Sequence, residues 1–138
     1  MELSIDELYK IIQLRIAVFS VEQNCPYQDC DERDQVSYHL MGWRDGELIA
    51  YSRILPPGLS YKEPSIGRVV TAPSARGTGM GKELMKRSME QTKLLFGDTG
   101  ITISAQLYLK SFYESFGFAA IGEPYLEDHI DHIKMKAE

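Results

Sequence analysis

The chain is poor in features that would point to several classes of protein. Its 138 residues include only two cysteines, and no repeat, low-complexity tract or linker divides the sequence. No apolar run approaches the roughly 20 residues that a transmembrane helix needs. The hydrophobic content of 43% is enough for a core without metal or disulfide support. We therefore predict one compact domain over residues 1–138.

Positive charge is also not in excess. The chain has 15 Lys and Arg against 20 Asp and Glu, a formal net charge of −5, which gives no drive toward nucleic acid phosphates or an anionic membrane. The first seven residues are acidic, where a secretory signal would be basic and then apolar. These properties predict a cytoplasmic protein that binds neither nucleic acid nor membrane. We expect a monomer or a homodimer, and the composition does not distinguish them.

Cysteine and histidine are too few and too scattered for a standard metal site. Cys25 and Cys30 lie in a polar segment, and a site would have to recruit His129 and His132 at spacings that match no zinc arrangement. A protein that is not exported normally keeps both thiols reduced. We predict free thiols and no metal.

The N-terminal third predicts a helix followed by a loop. Residues 4–7 have the form of a capping box, so a helix should begin there and continue to about Val21. Its core-facing stripe should be Ile5, Leu8, Ile12, Ile16 and Phe19. Residues 24–36 are acidic, contain Pro26 and lack periodicity, which favours a surface loop near a site.

The remaining chain alternates strand and helix patterns. Asp45-Gly46 is typical of a hairpin turn, and Gly117 of a helix end. Strands are predicted at residues 38–43, 47–55, 66–72, 101–105, 118–121 and 132–135, and helices at 80–96 and 109–116.

A glycine-rich segment, Arg76-Gly77-Thr78-Gly79-Met80-Gly81, joins a predicted strand to a predicted helix. Such a turn presents free backbone amides and the positive end of a helix dipole, which bind phosphate. The Walker A pattern would need glycine at 76 and Ser or Thr at 83, whereas the chain has arginine and glutamate there. The dinucleotide pattern would need glycine at 82 or 84, which are Lys82 and Leu84. Both nucleotide patterns are therefore disfavoured.

Arg76, Gly79 and Gly81 do match the motif of the GNAT acyltransferase superfamily, which is Arg or Gln, two residues, Gly, one residue, Gly or Ala. The chain resembles that superfamily over nearly its whole length, and most closely its ElaA-like branch. The resemblance lies in residues 14–15, 18–19, 21–29, 50–51, 53–55, 66–69, 112–113 and 115–118. It implies an α/β fold with a mixed, mainly antiparallel sheet and helices on both faces, and acetyl-coenzyme A as the cofactor.

The same resemblance assigns roles to individual residues. Tyr113 would donate a proton to the sulfur of coenzyme A, and the amide of Val70 would bind the carbonyl oxygen if a bulge left it unpaired. Gln106 stands where many members have Asn. The residues expected at the cofactor are Val69, Val70, Thr71, Arg76, Gly77, Thr78, Gly79, Met80, Gly81, Lys82, Gln106 and Phe112.

The acceptor side is defined less sharply. Glu22 is the preferred general base, and the other options are His39, Asp29 and His132. The residues expected to contact the substrate are Arg53, Arg68, His39 and Asp29. The two arginines would bind a substrate carboxylate or else pair with Glu22 or Asp29 and fix the loop.

These residues lead to one preferred function and two alternatives. The preferred function is direct transfer of an acetyl or other acyl group from acetyl-coenzyme A to a primary amine of a small molecule or protein. The first alternative is a noncatalytic module that binds and senses acyl-coenzyme A. The second is phosphate or nucleotide binding without coenzyme A.

Overall fold

Two three-stranded antiparallel sheets form the centre of the fold. They are seen in a computed structural model that describes residues 2–138, so Met1, the first residue of the predicted domain, lies outside the described residues. The elements are α1 (Ile5–Arg15), a π-helical turn (Ile16–Glu22), β1 (Tyr38–Arg44), β2 (Glu47–Leu55), β3 (Ser65–Thr71), α2 (Met80–Phe96), β4 (Ile101–Gln106), α3 (Lys110–Glu114), β5 (Ala119–Glu127) and β6 (Ile130–Ala137). The strand orders are β1-β2-β3 and β4-β6-β5.

The two sheets meet where β3 and β4 begin. The amide of Thr102 donates to the carbonyl oxygen of Pro64 at 3.1 Å, and within residues 2–138 this is the one backbone hydrogen bond between the two segments. Helix α2 connects the end of β3 to the start of β4, so the two strands run in the same direction. They diverge beyond their first residues and leave a gap between the sheets.

Helices cover the two faces of the sheets and create two cores. The core on the α1 face contains Ile11, Leu14, Val18, Ile49, Tyr51 and Val70. The core on the α2 and α3 face contains Ile54, Met85, Ile103, Tyr113, Ile133 and Met135. The predicted fold class, α/β with a mainly antiparallel sheet flanked by helices, is confirmed.

The first helix begins as predicted but turns a different face to the core. Ser4 and Glu7 form the capping box, with bonds of 3.0 and 2.8 Å. The predicted core stripe is wrong, since Ile5 is 87% exposed and Ile16 is 42% exposed. The helix has a second apolar stripe, Ile11, Leu14 and Val18, and this one is buried. Periodicity identified one stripe without deciding which of the two faces the sheet.

Element boundaries differ most near the C-terminus. Helix α2 has the predicted bounds, whereas α3 is only Lys110–Glu114, and β5 and β6 are longer than predicted. Every residue of β5 is exposed, so the strand lacks the alternation that marks a half-buried strand. The antiparallel pairing with β6 holds β5 in an extended conformation that its own sequence does not predict over this length. No helix within residues 2–138 combines the length and apolarity needed to cross a membrane.

Candidate active site

A cavity of about 610 Å³ occupies the gap between β3 and β4. Alternate residues of β4 face opposite sides of its sheet, so Ile103 packs with Tyr113, while Ser104 and Gln106 face the α1 side. Both sides contribute to the wall of the cavity. The cavity therefore connects the α3 side of the molecule with the α1 side.

A β-bulge shapes the β3 wall of this cavity. Arg53 of β2 pairs with Gly67 and Tyr51 pairs with Val70, so three steps on β3 oppose two on β2. Arg68 lies at the bulge with φ of +50°. An extra residue bends a strand and interrupts its pairing. The bulge thus helps to hold β3 away from β4.

The register beyond the bulge decides which backbone groups face the gap. Ala72 donates its amide to Ile49 at 2.8 Å, so its backbone groups point toward β2. Backbone groups alternate in direction along a strand, which places the amide of Val70 on the β2 side and those of Thr71 and Val69 on the gap side. The side chain of Val70 is also buried, in the core on the α1 face. The prediction that Val70 donates to a carbonyl oxygen in the gap is therefore wrong.

The glycine-rich segment forms the turn between β3 and α2. Gly77 and Gly79 have φ of +78° and +80°, a region that favours glycine. Gly79 caps α2 without a side-chain hydrogen bond, and the first intrahelical bond runs from the amide of Glu83 to Gly79. The amides of residues 80–82 consequently have no partner within the helix. This end of α2 has the chemistry of a phosphate site.

Other predicted cofactor residues surround this turn. Thr78 donates its hydroxyl to the carbonyl oxygen of Ala75 and so braces the turn. A Cβ at Gly81 would lie 4.0 Å from Phe112, which is an ordinary van der Waals contact. Steric crowding within the protein therefore does not require glycine at this position. Lys82 lies in the first turn of α2.

Arg76 and Glu22 form a two-armed ion pair beside the turn. Nη2 of Arg76 lies 2.7 Å from Oε1 of Glu22, and Nη1 bonds the other carboxylate oxygen. The hydrogen bond from Arg76 lowers the pKa of Glu22, which makes it a weaker base. Glu22 is also absent from the residues that line the cavity. The structure therefore argues against Glu22 as the general base.

Tyr113 reaches the cavity from α3. It is 7% exposed, and its ring meets the rings of Phe112 and Phe118 edge to face. Tyr113 is among the residues that line the cavity. Burial, with a smaller contribution from Tyr108, raises the pKa of Tyr113 to about 12. The phenol therefore stays protonated at neutral pH and can act as a proton donor.

Gln106 and Gln23 bond each other at the cavity wall. The amide nitrogen of Gln106 lies 3.1 Å from the oxygen of Gln23, and the reciprocal contact is 3.4 Å. Gln106 thus faces the α1 side, where Gln23 ends the π-helical turn. Its predicted contact with the cofactor would require this pair to separate.

Six charged side chains form a closed ring of alternating sign on the α1 side. In order around the ring they are Arg15, Asp29, Arg68, Asp31, Arg53 and Asp34. The N–O distances lie between 2.8 and 3.5 Å. Three positive and three negative groups cancel, so this ion-pair ring is neutral while it fixes the acidic loop to β2 and β3.

The ring changes the interpretation of the predicted substrate residues. Both Arg53 and Arg68 line the cavity, but their guanidinium groups are held by the aspartates of the ring. Asp29 is 4% exposed and does not line the cavity. Its Oδ2 lies 2.9 Å from Nε of Arg15, out of hydrogen-bond alignment, so that contact is electrostatic. Of the two roles considered for Arg68, the structure therefore favours pairing with Asp29 over binding of a substrate carboxylate.

His39 is likewise engaged elsewhere. Its Nε2 lies 2.9 Å from the carbonyl oxygen of Asp34, which can only accept, and its Nδ1 lies 2.6 Å from the hydroxyl of Tyr51. Both ring nitrogens are therefore used, and His39 does not line the cavity. It supports the acidic loop and is not placed to contact a substrate.

The β5–β6 hairpin places several polar side chains in the cavity wall, and the sequence did not predict that they would lie together. His132, Glu127 and Asp128 line the cavity, as does Cys25, whose thiol lies 2.7 Å from the carbonyl oxygen of Asp128. Asp128 and its neighbour form the turn with positive φ, although no Asn-Gly or Asp-Gly signal stands there. Contacts about a hundred residues apart leave no local pattern. In the described range 2–138, no three His, Cys, Asp or Glu side chains are grouped to hold a metal ion.

Comparison with known proteins agrees with this architecture. A family model described as acetyltransferase (GNAT) domain matches residues 11–138. The protein ElaA of Escherichia coli (strain K12) is 44% identical, with 99% of this chain and 91% of that protein covered. The crystal structure of an acyl-CoA N-acyltransferase from Pseudomonas aeruginosa has a TM-score of 0.94 at 45% identity, covering 99% and 94% of the two chains. A PaiA N-acetyltransferase from Thermoplasma acidophilum in complex with coenzyme A, at 16% identity, covers 100% and 96% with a TM-score of 0.72 and shares the fold.

Proposed function

The chain belongs to the GNAT acetyltransferase family, and on that premise we propose that it transfers an acetyl or other acyl group from acetyl-coenzyme A directly to a primary amine. The acceptor is a small molecule or an exposed amine of a protein. The observation that carries the proposal is the cavity that passes through the β3–β4 gap, with Tyr113 on one side and the polar side chains of the hairpin on the other. A donor and an acceptor can meet there from opposite sides.

The donor side fits coenzyme A. The uncapped start of α2 offers its amides to the diphosphate, with Gly77 and Gly79 allowing a close backbone approach. The gap-facing backbone groups of Thr71 and Val69 can bond the pantetheine arm and the thioester carbonyl. Val69 therefore replaces Val70 as the proposed donor to the developing oxyanion. Arg76 adds positive charge once it is released from its carboxylate partner.

Tyr113 is the proposed proton donor to the departing thiolate. Its raised pKa of about 12 keeps the phenol protonated across the range in which an amine acceptor would be assayed. Its ring is fixed by neighbouring aromatics, so the hydroxyl is held in place in the cavity wall. We also retain the predictions of one domain over residues 1–138, a cytoplasmic location and a monomer or homodimer.

The test uses two tyrosines from the same segment. Tyr113→Phe removes the proposed proton donor, and Tyr108→Phe is the matched control because Tyr108 is 72% exposed. Release of coenzyme A thiol is measured with acetyl-coenzyme A and a panel of primary amines, and binding is measured by calorimetry. We expect Tyr113→Phe to reduce turnover about 100-fold or more, the usual size of a general acid contribution, with binding retained.

Three other results would contradict the role of Tyr113 or favour an alternative function. Full turnover by Tyr113→Phe would remove the proton-donor role. Tight binding of acetyl-coenzyme A without thiol release over the whole panel would favour the noncatalytic sensor. Equal thermal protection by ATP and acetyl-coenzyme A would favour phosphate or nucleotide binding.

A further inference from the structure

We propose that His132 is the general base that takes the proton from an acceptor arriving as an ammonium ion, and that Glu127 is its positioning residue. This inference rests on the proposed function and identifies the acceptor half of the same site. His132 is 7% exposed and lines the cavity, as Glu127 does. An imidazole in a cavity wall is a group suited to general base catalysis.

The position of His132 is opposite to that of Tyr113. On β6, Ile133 packs in the core that contains Tyr113, so the neighbouring His132 faces the other side of the sheet. Across the ladder His132 pairs with Gln106, which bonds Gln23 on the α1 side. Proton donor and proton acceptor therefore stand on opposite sides of the gap, as direct transfer between two substrates requires.

The hydrogen bonds of the ring fix its tautomer. Nδ1 lies 2.7 Å from the carbonyl oxygen of Ile130, and because a carbonyl only accepts, Nδ1 carries the hydrogen. The neutral ring then has its lone pair on Nε2. That atom lies 3.4 Å from Oε2 of Glu127, and the ring of Tyr125 stacks on the imidazole. The carboxylate is placed to stabilise the imidazolium that forms when Nε2 accepts a proton.

The surrounding charges favour a cationic acceptor. The ion-pair ring on the α1 side is neutral, so it neither attracts nor repels an ammonium ion. Glu127 and Asp128 remain in the cavity wall without an arginine or lysine partner among residues 2–138. Arg33 also lines the cavity and donates to the hydroxyl of Ser60, so outside the ring two carboxylates are set against one guanidinium. Two carboxylates at the mouth of a cavity attract an amine in its protonated form.

The other candidate bases are outside the cavity or fully engaged. Glu22 does not line the cavity, His39 uses both ring nitrogens, and Asp29 is enclosed in the ion-pair ring. Of the bases considered from the sequence, His132 is the one that combines a cavity position with a free lone pair.

The proton balance of the reaction closes with these groups. Nε2 takes one proton from the ammonium ion, and the amine nitrogen bonds the thioester carbon as the carbon–sulfur bond breaks. Tyr113 gives a proton to the thiolate and is restored by the second proton lost from nitrogen. His132 then releases its proton to water, so amide, coenzyme A thiol and one proton are the products.

The test compares two nucleophiles in one variant. Asn in His132→Asn can keep the hydrogen bond to Ile130 but provides no base. Thiol release is measured with ethylamine, which is protonated at neutral pH, and with hydroxylamine, which is unprotonated at neutral pH, after subtraction of the reaction without enzyme. We expect kcat/KM for ethylamine to fall about 100-fold or more, and that for hydroxylamine to stay nearly unchanged. Glu127→Gln should show the same selectivity with a smaller loss.

The matched control is His129→Asn in the turn of the same hairpin. His129 is exposed and has φ of +64°, a conformation that Asn tolerates, so both rates should equal those of the wild type. Equal losses with both nucleophiles in His132→Asn would show a structural role and overturn the inference. So would a wild type that uses ethylamine no faster than His132→Asn does. A wild type that binds acetyl-coenzyme A but is inactive with both nucleophiles would instead contradict the proposed function itself.

Discussion

Replacing Arg15 by methionine should be among the most destabilising single changes in this protein. The Arg15 side chain is 0% exposed and contacts two carboxylates of the ion-pair ring, Asp29 at 2.9 Å and Asp34 at 2.8 Å. It also bonds the carbonyl oxygen of Asp29 and lies over the ring of Tyr51. Burial disfavours its charge, but the hydrogen bond to Asp34 and the two aspartate charges raise the pKa of Arg15 above its ordinary value.

The magnitude follows from what the substitution leaves behind. Methionine fills much of the volume, so the main cost is that Asp29 and Asp34 each lose one of their two arginine partners. Breaking a buried ion pair by removal of one partner costs about 3 to 5 kcal/mol, and a whole domain is stable by only about 5 to 15 kcal/mol. We therefore expect Arg15→Met to lose a large fraction of the free energy of unfolding.

Urea unfolding followed by circular dichroism measures this loss, with Arg87→Met as the control. Arg87 pairs with Glu83 on the surface of α2 and is 67% exposed, so its removal should change the unfolding midpoint very little. The double variant Arg15→Met with Asp34→Asn should lose less than the two single losses combined, because the residues share one network. A loss for Arg15→Met as small as that for Arg87→Met would refute the assignment of the ring as a stabilising unit.

Three further predictions concern the ring and the cofactor turn. Burial raises the pKa of Asp31, but hydrogen bonding to Arg53 outweighs it and lowers the pKa to about 2. The contribution of Asp31 to stability is therefore complete above the ordinary pKa of 3.8 and is lost as pH falls toward 2. Between these pH values the unfolding midpoint should fall less steeply in Asp31→Asn than in the wild type. Glu22→Gln weakens the hold on Arg76 and should tighten coenzyme A binding severalfold in calorimetry, and unchanged or weaker binding would contradict competition for that arginine. Gly79→Ala should weaken coenzyme A binding through backbone strain at φ of +80°, since a Cβ there meets nothing within 4 Å; wild-type affinity would show that this conformation is not needed.

The sequence predicted the elements whose signals are local. The capping box at Ser4, the Asp45-Gly46 hairpin and the bounds of α2 depend on neighbouring residues, and the structure confirms them. The glycine turn belongs to this group, because a strand, the turn and a helix follow each other directly. Local patterns were therefore sufficient for the half of the site that would bind phosphate.

The acceptor half depends on pairings that no local pattern records. Whether Val70 or Val69 faces the gap is decided by register and by the bulge at Arg68, and a shift of one residue reverses the answer. For Arg53 and Arg68 the sequence left two roles open, a substrate carboxylate or an ion pair with the loop, because their aspartate partners lie some 20 to 40 residues away along the chain. Glu127 approaches His132 through a turn without the usual glycine signal.

A single-turnover experiment tests the central claim of direct transfer through the β3–β4 gap. Excess enzyme is mixed with acetyl-coenzyme A, with and without a primary amine, and the mass of the protein and the amounts of free thiol and amide are followed together. Direct transfer predicts that thiol and amide appear at one rate only when the amine is present, and that the protein mass never changes. Thiol release without amine, accompanied by an acetylated protein carrying the group at the cavity thiol of Cys25, would contradict it.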